Sequence, residues 1–149
     1  MTRPPRLPNE PVLTRQLIVR ICTVGTLLCA AAFGFFEMAL QSGRSLEVAR
    51  TIAVNVFVFG ELFYLFNCRS LSNSIFKIGI FGNKILLAGV LAMALLQILF
   101  TYMPFMNTAI HSKPILPADW AFVLGTGLVI FLVMELEKKI QFDIKIKSR

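Results

Sequence analysis

Four apolar runs alternate with polar connections along the chain, and they cover residues 17–40, 51–67, 85–105 and 120–136. As an α-helix, the first run would reach about 36 Å, which is enough to cross the roughly 30 Å hydrocarbon core of a bilayer. The pattern therefore predicts an all-α fold, an integral membrane bundle of four transmembrane helices within a membrane domain of residues 17–140.

The segments around the runs have a different character. Residues 1–16 are polar and hold four prolines, which excludes a regular helix there, so we interpret them as a cytosolic Pro-rich loop segment. Residues 141–149 form a basic cytosolic tail. Pro104 is expected to end or kink the third helix, and Asp119 is expected to cap the N-terminus of the fourth.

Composition supports a membrane protein. Hydrophobic residues make up 56% of the 149 residues and charged residues only 15%, and the mean hydropathy is +0.74. The net charge of +7 does not indicate a nucleic-acid partner, because the basic residues flank the apolar runs and no nucleic-acid-binding motif is present. The expected partner is the lipid bilayer. Three scattered cysteines and one histidine predict neither a disulfide framework nor a metal cluster.

The distribution of basic residues predicts the topology. Four spans place both termini on one side of the membrane, and twelve of the fifteen lysines and arginines fall on that side. The three on the other side are Arg44, Arg50 and Lys113. The positive-inside rule then predicts that both termini are cytosolic, in a multi-pass protein of the plasma (inner) membrane.

One acidic residue lies inside the second run, in the stretch NVFVFGELFYLFN of residues 55–67. Glu61 lies about 15 Å along a helix from Thr51, where a charge costs roughly 2.5–3.5 kcal/mol on insertion scales. No lysine or arginine is placed to pair with it at that depth. Its partner is then a proton, a bound cation or a group from outside the chain; a neutral carboxylic acid hydrogen-bonded between helices is the alternative. Asn55 is a weaker candidate cation ligand, and Gln97 is expected to hydrogen-bond between helices.

These residues also carry a family resemblance. RPPRLPNEP, residues 3–11, resembles the cytosolic loop before the seventh transmembrane helix of P-type cation-transporting ATPases of the calcium-pump-like branch. Residues 49–71, 83–107 and 118–140 resemble the eighth, ninth and tenth helices of that family. The resemblance covers nearly the whole chain in order and spacing.

The resemblance implies a role for named residues. In this family ATP phosphorylates an aspartate in a cytosolic domain, and cations pass through sites between transmembrane helices. By motif position, Glu61 corresponds to a cation ligand on the eighth helix. Arg3, Pro4, Pro5 and Arg6 correspond to a loop that couples the membrane domain to the phosphorylation domain.

Other parts of the family pattern are missing from the sequence. It contains no DKTGT phosphorylation motif and no P-loop, and its only aspartates are Asp119 and Asp143. Calcium takes about six to eight oxygen ligands, more than Glu61, Asn55 and Gln97 supply. We therefore expect the C-terminal transmembrane part of a pump, without ATPase activity or a cofactor of its own.

The expected partners follow from that interpretation. They are the remaining pump helices, the phosphorylation domain and the transported cation, and ATP and Mg²⁺ would bind domains outside this chain. Two alternatives stay open: a small free-standing membrane protein that regulates or assembles with a partner, and a small proton-coupled exporter that uses Glu61 as its proton carrier.

Overall fold

The computed structural model describes residues 15–68 and 83–147, and side chains within residues 17–68 and 83–140. The helices of these ranges are α1 (Arg15–Gln41), α2 (Leu46–Asn67), α3 (Lys84–Tyr102), α4 (Pro104–Ile110) and α5 (Pro117–Lys147). Within these ranges, α1, α2, α3 and α5 are long and apolar enough to cross a membrane. The all-α prediction is confirmed.

Two of the helices extend well beyond the apolar runs that predicted them. α2 begins at Leu46, five residues before the predicted start at residue 51. α5 begins at Pro117 and continues to Lys147, past the predicted end at residue 136. Apolar runs mark the part of a helix that faces hydrocarbon, whereas backbone hydrogen bonding continues into the polar residues at either end.

Pro104 ends the third helix as expected. α3 stops at Tyr102, Met103 adopts an extended backbone, and Pro104 is the first residue of α4. Proline is tolerated at this position because the first N–H groups of a helix have no intrahelical acceptor. At its other end, α3 is capped by Asn83, whose side-chain oxygen accepts hydrogen bonds from the backbone N–H groups of Ile85 and Leu86 at 3.1 Å.

The prediction for Asp119 is wrong in its position. Asp119 is the third residue of α5 rather than the residue before it. Its carboxylate reaches back to accept a hydrogen bond from the backbone N–H of Leu116 at 2.8 Å, which is how an acidic residue at this position caps a helix from within. It also pairs with Arg44 at 2.6 Å, so the α1–α2 connection is joined to the start of α5.

α2 is the central helix of the bundle. It packs along α1 and α5 and touches α3 over a shorter stretch. Its buried residues Ala49, Ile52, Val56, Phe59 and Leu62 form one core cluster with Ala39, Ile115 and Val123. A second cluster joins Val24 and Leu28 of α1 to Ile130 and Met134 of α5.

Close approach of α2 and α5 depends on Gly127. A Cβ atom built on Gly127 would lie 2.5 Å from the ring of Phe63, whereas one built on Gly125 meets nothing within 4 Å. We expect Gly127→Ala to lower the free energy of unfolding by about 1–3 kcal/mol through overpacking. Gly125→Ala, the matched control, should leave stability unchanged or raise it by up to about 1 kcal/mol through helix propensity.

Thermal unfolding of both variants in the same detergent checks this prediction. Equal stabilities for the two alanine variants would contradict the close approach of α2 and α5 at Phe63.

Candidate cation site on the central helix

Glu61 is exposed on the face of α2 that the other described helices leave open. Arg50, Val54 and Leu65 are exposed on the same face, at spacings of eleven, seven and four residues from Glu61. These spacings are close to whole turns of an α-helix, so Glu61 lies in the middle of the open face. The carboxylate is six residues from the end of α2 at Asn67, or about 9 Å along the axis.

The side chains beside Glu61 are held by the bundle while its carboxylate is not. Phe57 and Tyr64 flank it and pack against the second core cluster, and Val58 packs against the first. Within the described residues, the carboxylate of Glu61 has no hydrogen bond and no ion pair. The nature of its partner therefore stays a prediction.

Asn55 faces a different neighbour. It is six residues from Glu61, which corresponds to about 120° around the helix, and it is fully buried. Its amide nitrogen donates to the Thr51 carbonyl at 2.8 Å and to the Thr101 hydroxyl on α3 at 3.0 Å. The structure therefore does not bring Asn55 and Glu61 to a common site, and the cation-ligand role of Asn55 stays a prediction.

A buried polar cluster fixes the end of α2 that follows Glu61. Lys138 of α5, whose side chain is 4% exposed, donates to the Asn67 carbonyl at 2.7 Å and to the Asn67 side-chain oxygen at 3.1 Å. The Asn67 amide in turn donates to the Phe131 carbonyl at 3.1 Å. Lys138 also pairs with Glu135, three residues earlier in the same helix, at 3.3 Å. A cation at the C-terminus of a helix is favourable because carbonyl groups there lack intrahelical partners.

An ion pair joins α1 to α5 at the same end of the bundle. Arg20 donates from Nε and Nη2 to the Glu137 carboxylate at 3.0 and 2.9 Å, and its side chain is 5% exposed. Sequence patterning does not predict this contact, because Arg20 and Glu137 lie 117 positions apart. The Arg20–Glu137 ion pair and the Lys138–Asn67 contact show that the first part of α1, the end of α2 and the last part of α5 meet at one end of the bundle.

The remaining predicted features are outside what the structure tests. Arg3, Pro4, Pro5 and Arg6 lie outside the described residues. Among the side chains that the structure describes, in residues 17–68 and 83–140, no group of three or more histidine, cysteine, aspartate or glutamate residues is arranged to hold a metal ion. The role of Glu61 as a cation ligand therefore stays a prediction.

The fold is that of a multi-pass membrane bundle, and its central helix carries a carboxylate, Glu61, on a face that the other described helices leave open. Residues 1–140 match the sequence family described as "Cation transporting ATPase, C-terminus". The chain therefore belongs to the family formed by the C-terminal regions of P-type cation-transporting ATPases.

Individual relatives support the same assignment. The probable cation-transporting ATPase F of Mycobacterium tuberculosis is 42% identical over 134 residues, which are 90% of this chain and 15% of the relative. The calcium-transporting ATPase of Bacillus subtilis is 32% identical over 130 residues, 87% of this chain and 14% of the relative. Calcium-transporting ATPase type 2C member 2 of Mus musculus is 30% identical over 139 residues, which are 93% of this chain and 15% of the relative. The chain thus spans about one seventh of the length of these relatives.

Proposed function

We propose that this chain supports the cation pathway of a P-type cation-transporting ATPase and supplies one site carboxylate, Glu61, without being active alone. The other ligands would come from further pump helices that pack on the open face of α2. ATP and Mg²⁺ would act in cytosolic domains outside these helices, and the loop of Arg3, Pro4, Pro5 and Arg6 would couple those domains to the bundle.

The observation that carries this proposal is the position of Glu61 in the middle of the open face. If that face met lipid, the charged carboxylate would cost roughly 2.5–3.5 kcal/mol on insertion scales. Intramembrane acidic residues usually face a bundle interior or a wet cavity for this reason. A further layer of helices on this face would shield Glu61 from lipid, and a cation bound between the layers would balance the charge of its carboxylate.

A chimera tests the proposal directly. The corresponding C-terminal region of the Bacillus subtilis calcium-transporting ATPase would be replaced by this chain, and ATP-dependent cation uptake would be measured in membrane vesicles. We expect uptake by the chimera and none by the same pump truncated before this region. A chimera that inserts and is expressed at the level of the parent pump, yet shows no uptake, would contradict the proposal.

The chain alone provides the complementary measurement. We expect no ATP-dependent and no proton-driven cation flux from proteoliposomes that contain only this chain. Proton-driven flux that disappears in Glu61→Gln would instead favour the small exporter.

We also propose that both ends of the chain are cytosolic. The helix ends that meet at Arg20–Glu137 and Lys138–Asn67 lie on the side that receives most of the basic residues, which the positive-inside rule assigns to the cytosol. In a variant with Cys22, Cys29 and Cys68 changed to alanine, we expect S148C to be shielded from a membrane-impermeant maleimide in intact cells. The control S42C, at the opposite end of the bundle, should be labelled. Reversed labelling would contradict this topology.

A further inference from the structure

The short helix α4 carries apolar side chains that the rest of the described bundle does not cover. None of its seven residues is buried, and Phe105 and Ile110 are 74% and 54% exposed. At about 100° per residue, the apolar residues that follow Pro104 fall on one side of the helix and the polar ones on the other. The apolar residues are Phe105, Met106, Ala109 and Ile110, and the polar ones are Asn107 and Thr108. α4 is therefore amphipathic, and three of those four apolar residues are exposed.

α4 begins and ends beside the last turn of α3. A single residue separates the two helices. At the other end of α4, His111 adopts a left-handed backbone with a φ of 56°, which reverses the direction of the chain. Ser112, which is 5% exposed, then donates from its hydroxyl to the Asn107 side-chain oxygen at 2.8 Å and contacts the Phe100 carbonyl at 3.4 Å. α4 therefore stays close to the end of α3, with its polar residue Asn107 turned towards the bundle.

The length of α3 places α4 at the edge of the hydrocarbon. α3 has 19 residues, which at 1.5 Å per residue reach about 28 Å and so nearly cross a hydrocarbon core of roughly 30 Å. At this end the Trp120 ring nitrogen donates to the Tyr102 hydroxyl at 2.8 Å, and both residue types are enriched where membrane meets water. The sequence has no charged residue between Lys84 and Lys113. The apolar, bilayer-facing surface of α3 thus continues into α4 without an intervening charge.

The surface of α4 suits lipid better than it suits a protein partner. A helix about 10 Å long offers far less than the roughly 800 Å² that each partner contributes to a standard protein interface. α4 also has no charged side chain with which a partner could pair. Acyl chains need neither a large area nor a charge, because an amphipathic helix at a membrane is stabilised by burial of its apolar side alone.

We propose that α4 lies in the membrane interface and inserts Phe105 and Ile110 among the lipid acyl chains, as an anchor for the connection between α3 and α5. Its apolar side reaches about 5–10 Å into the boundary between headgroups and acyl chains. Its polar side, with Asn107 and Thr108, faces the bundle and the water. This lipid contact does not depend on the proposed cation pathway.

Electron paramagnetic resonance of the spin-labelled chain in phosphatidylcholine bilayers tests the position of α4. In a variant with Cys22, Cys29 and Cys68 changed to alanine, a nitroxide is attached through Ala109→Cys or, as the matched control, Thr108→Cys. Both positions are exposed, and as consecutive residues they point about 100° apart around the helix. The measurement is the rate of collision of each nitroxide with oxygen, which concentrates in lipid, and with a water-soluble nickel chelate.

We expect the ratio of oxygen to nickel collisions to be several-fold higher for Ala109→Cys than for Thr108→Cys. Leu96→Cys on the exposed surface of α3 gives the reference value for lipid, and Ser42→Cys gives that for water. A ratio for Ala109→Cys equal to the water reference would show that α4 projects into water and would overturn the proposal. Low rates with both reagents would show that a second copy of the chain covers α4, which would overturn it equally.

A charge on the inserted side gives a second measurement with the same label. In the Ala109→Cys chain, Phe105→Asp is expected to lower the oxygen-to-nickel ratio towards the water reference, because a carboxylate is costly among acyl chains. Thr108→Asp places the same charge on the polar side and should leave the ratio unchanged. Equal ratios in the two aspartate variants would contradict the insertion of Phe105.

Discussion

Glu61→Gln is expected to lower the apparent cation affinity of the chimeric pump by roughly 10- to 150-fold. The substitution keeps the size of the side chain and removes its charge. Interactions with a charged group contribute about 1.5–3 kcal/mol each, and 1.4 kcal/mol corresponds to tenfold in affinity. The measurement is the cation concentration that gives half-maximal ATP-dependent uptake in vesicles.

Glu37→Gln is the matched control for this experiment. Glu37 lies near the end of α1, is partly exposed and undergoes the same chemical change. We expect the cation concentration for half-maximal uptake by the Glu37→Gln chimera to stay within about a factor of two of the value for the unsubstituted chimera. If Glu61→Gln, expressed at the same level, changes the half-maximal cation concentration as little as Glu37→Gln does, Glu61 is not a cation ligand. Uptake by the unsubstituted chimera would still show that the chain can replace the C-terminal region of a related pump. The chimera and the substitution thus test the two parts of the proposal separately.

Lys138→Met is expected to destabilise the bundle by roughly 3–5 kcal/mol. Methionine keeps much of the length of the side chain but removes the ammonium group. The two oxygen atoms of Asn67 then lose the ammonium group that donates to them inside the bundle, and Glu135 loses its ion pair with Lys138; removing one partner of a buried charge pair typically costs this much. The measurement is the free energy of unfolding of the chain in detergent micelles.

Lys139→Met controls for the loss of one positive charge next to the same site. Lys139 is exposed, and we expect a change within about 0.5 kcal/mol. Equal effects at positions 138 and 139 would show that the contact between Lys138 and Asn67 does not hold α5 against the end of α2.

Hydrophobic patterning identified the four spanning helices because the bilayer imposes one simple requirement. A segment that crosses it needs about twenty predominantly apolar residues, and its backbone groups must be paired within the segment. The break at Pro104 followed from a different property, because proline lacks a backbone N–H and its ring clashes with the preceding helical turn. Patterning did not give the starts of α2 and α5, because the charged residues Glu47, Arg50 and Asp119 interrupt the apolar signal there, whereas the helices themselves continue through these residues.

The sequence alone determined the fold class and the family. These properties follow from local composition and from motifs whose residues are close in the chain. Only the tertiary structure decided that Glu61 lies on the open face of α2 while Asn55 is turned towards α3. It also decided that Arg20 meets Glu137 and that Gln97 is buried. The rotation of each helix and the pairing of distant residues depend on which faces pack together, and that choice is made by contacts between helices rather than by any one segment.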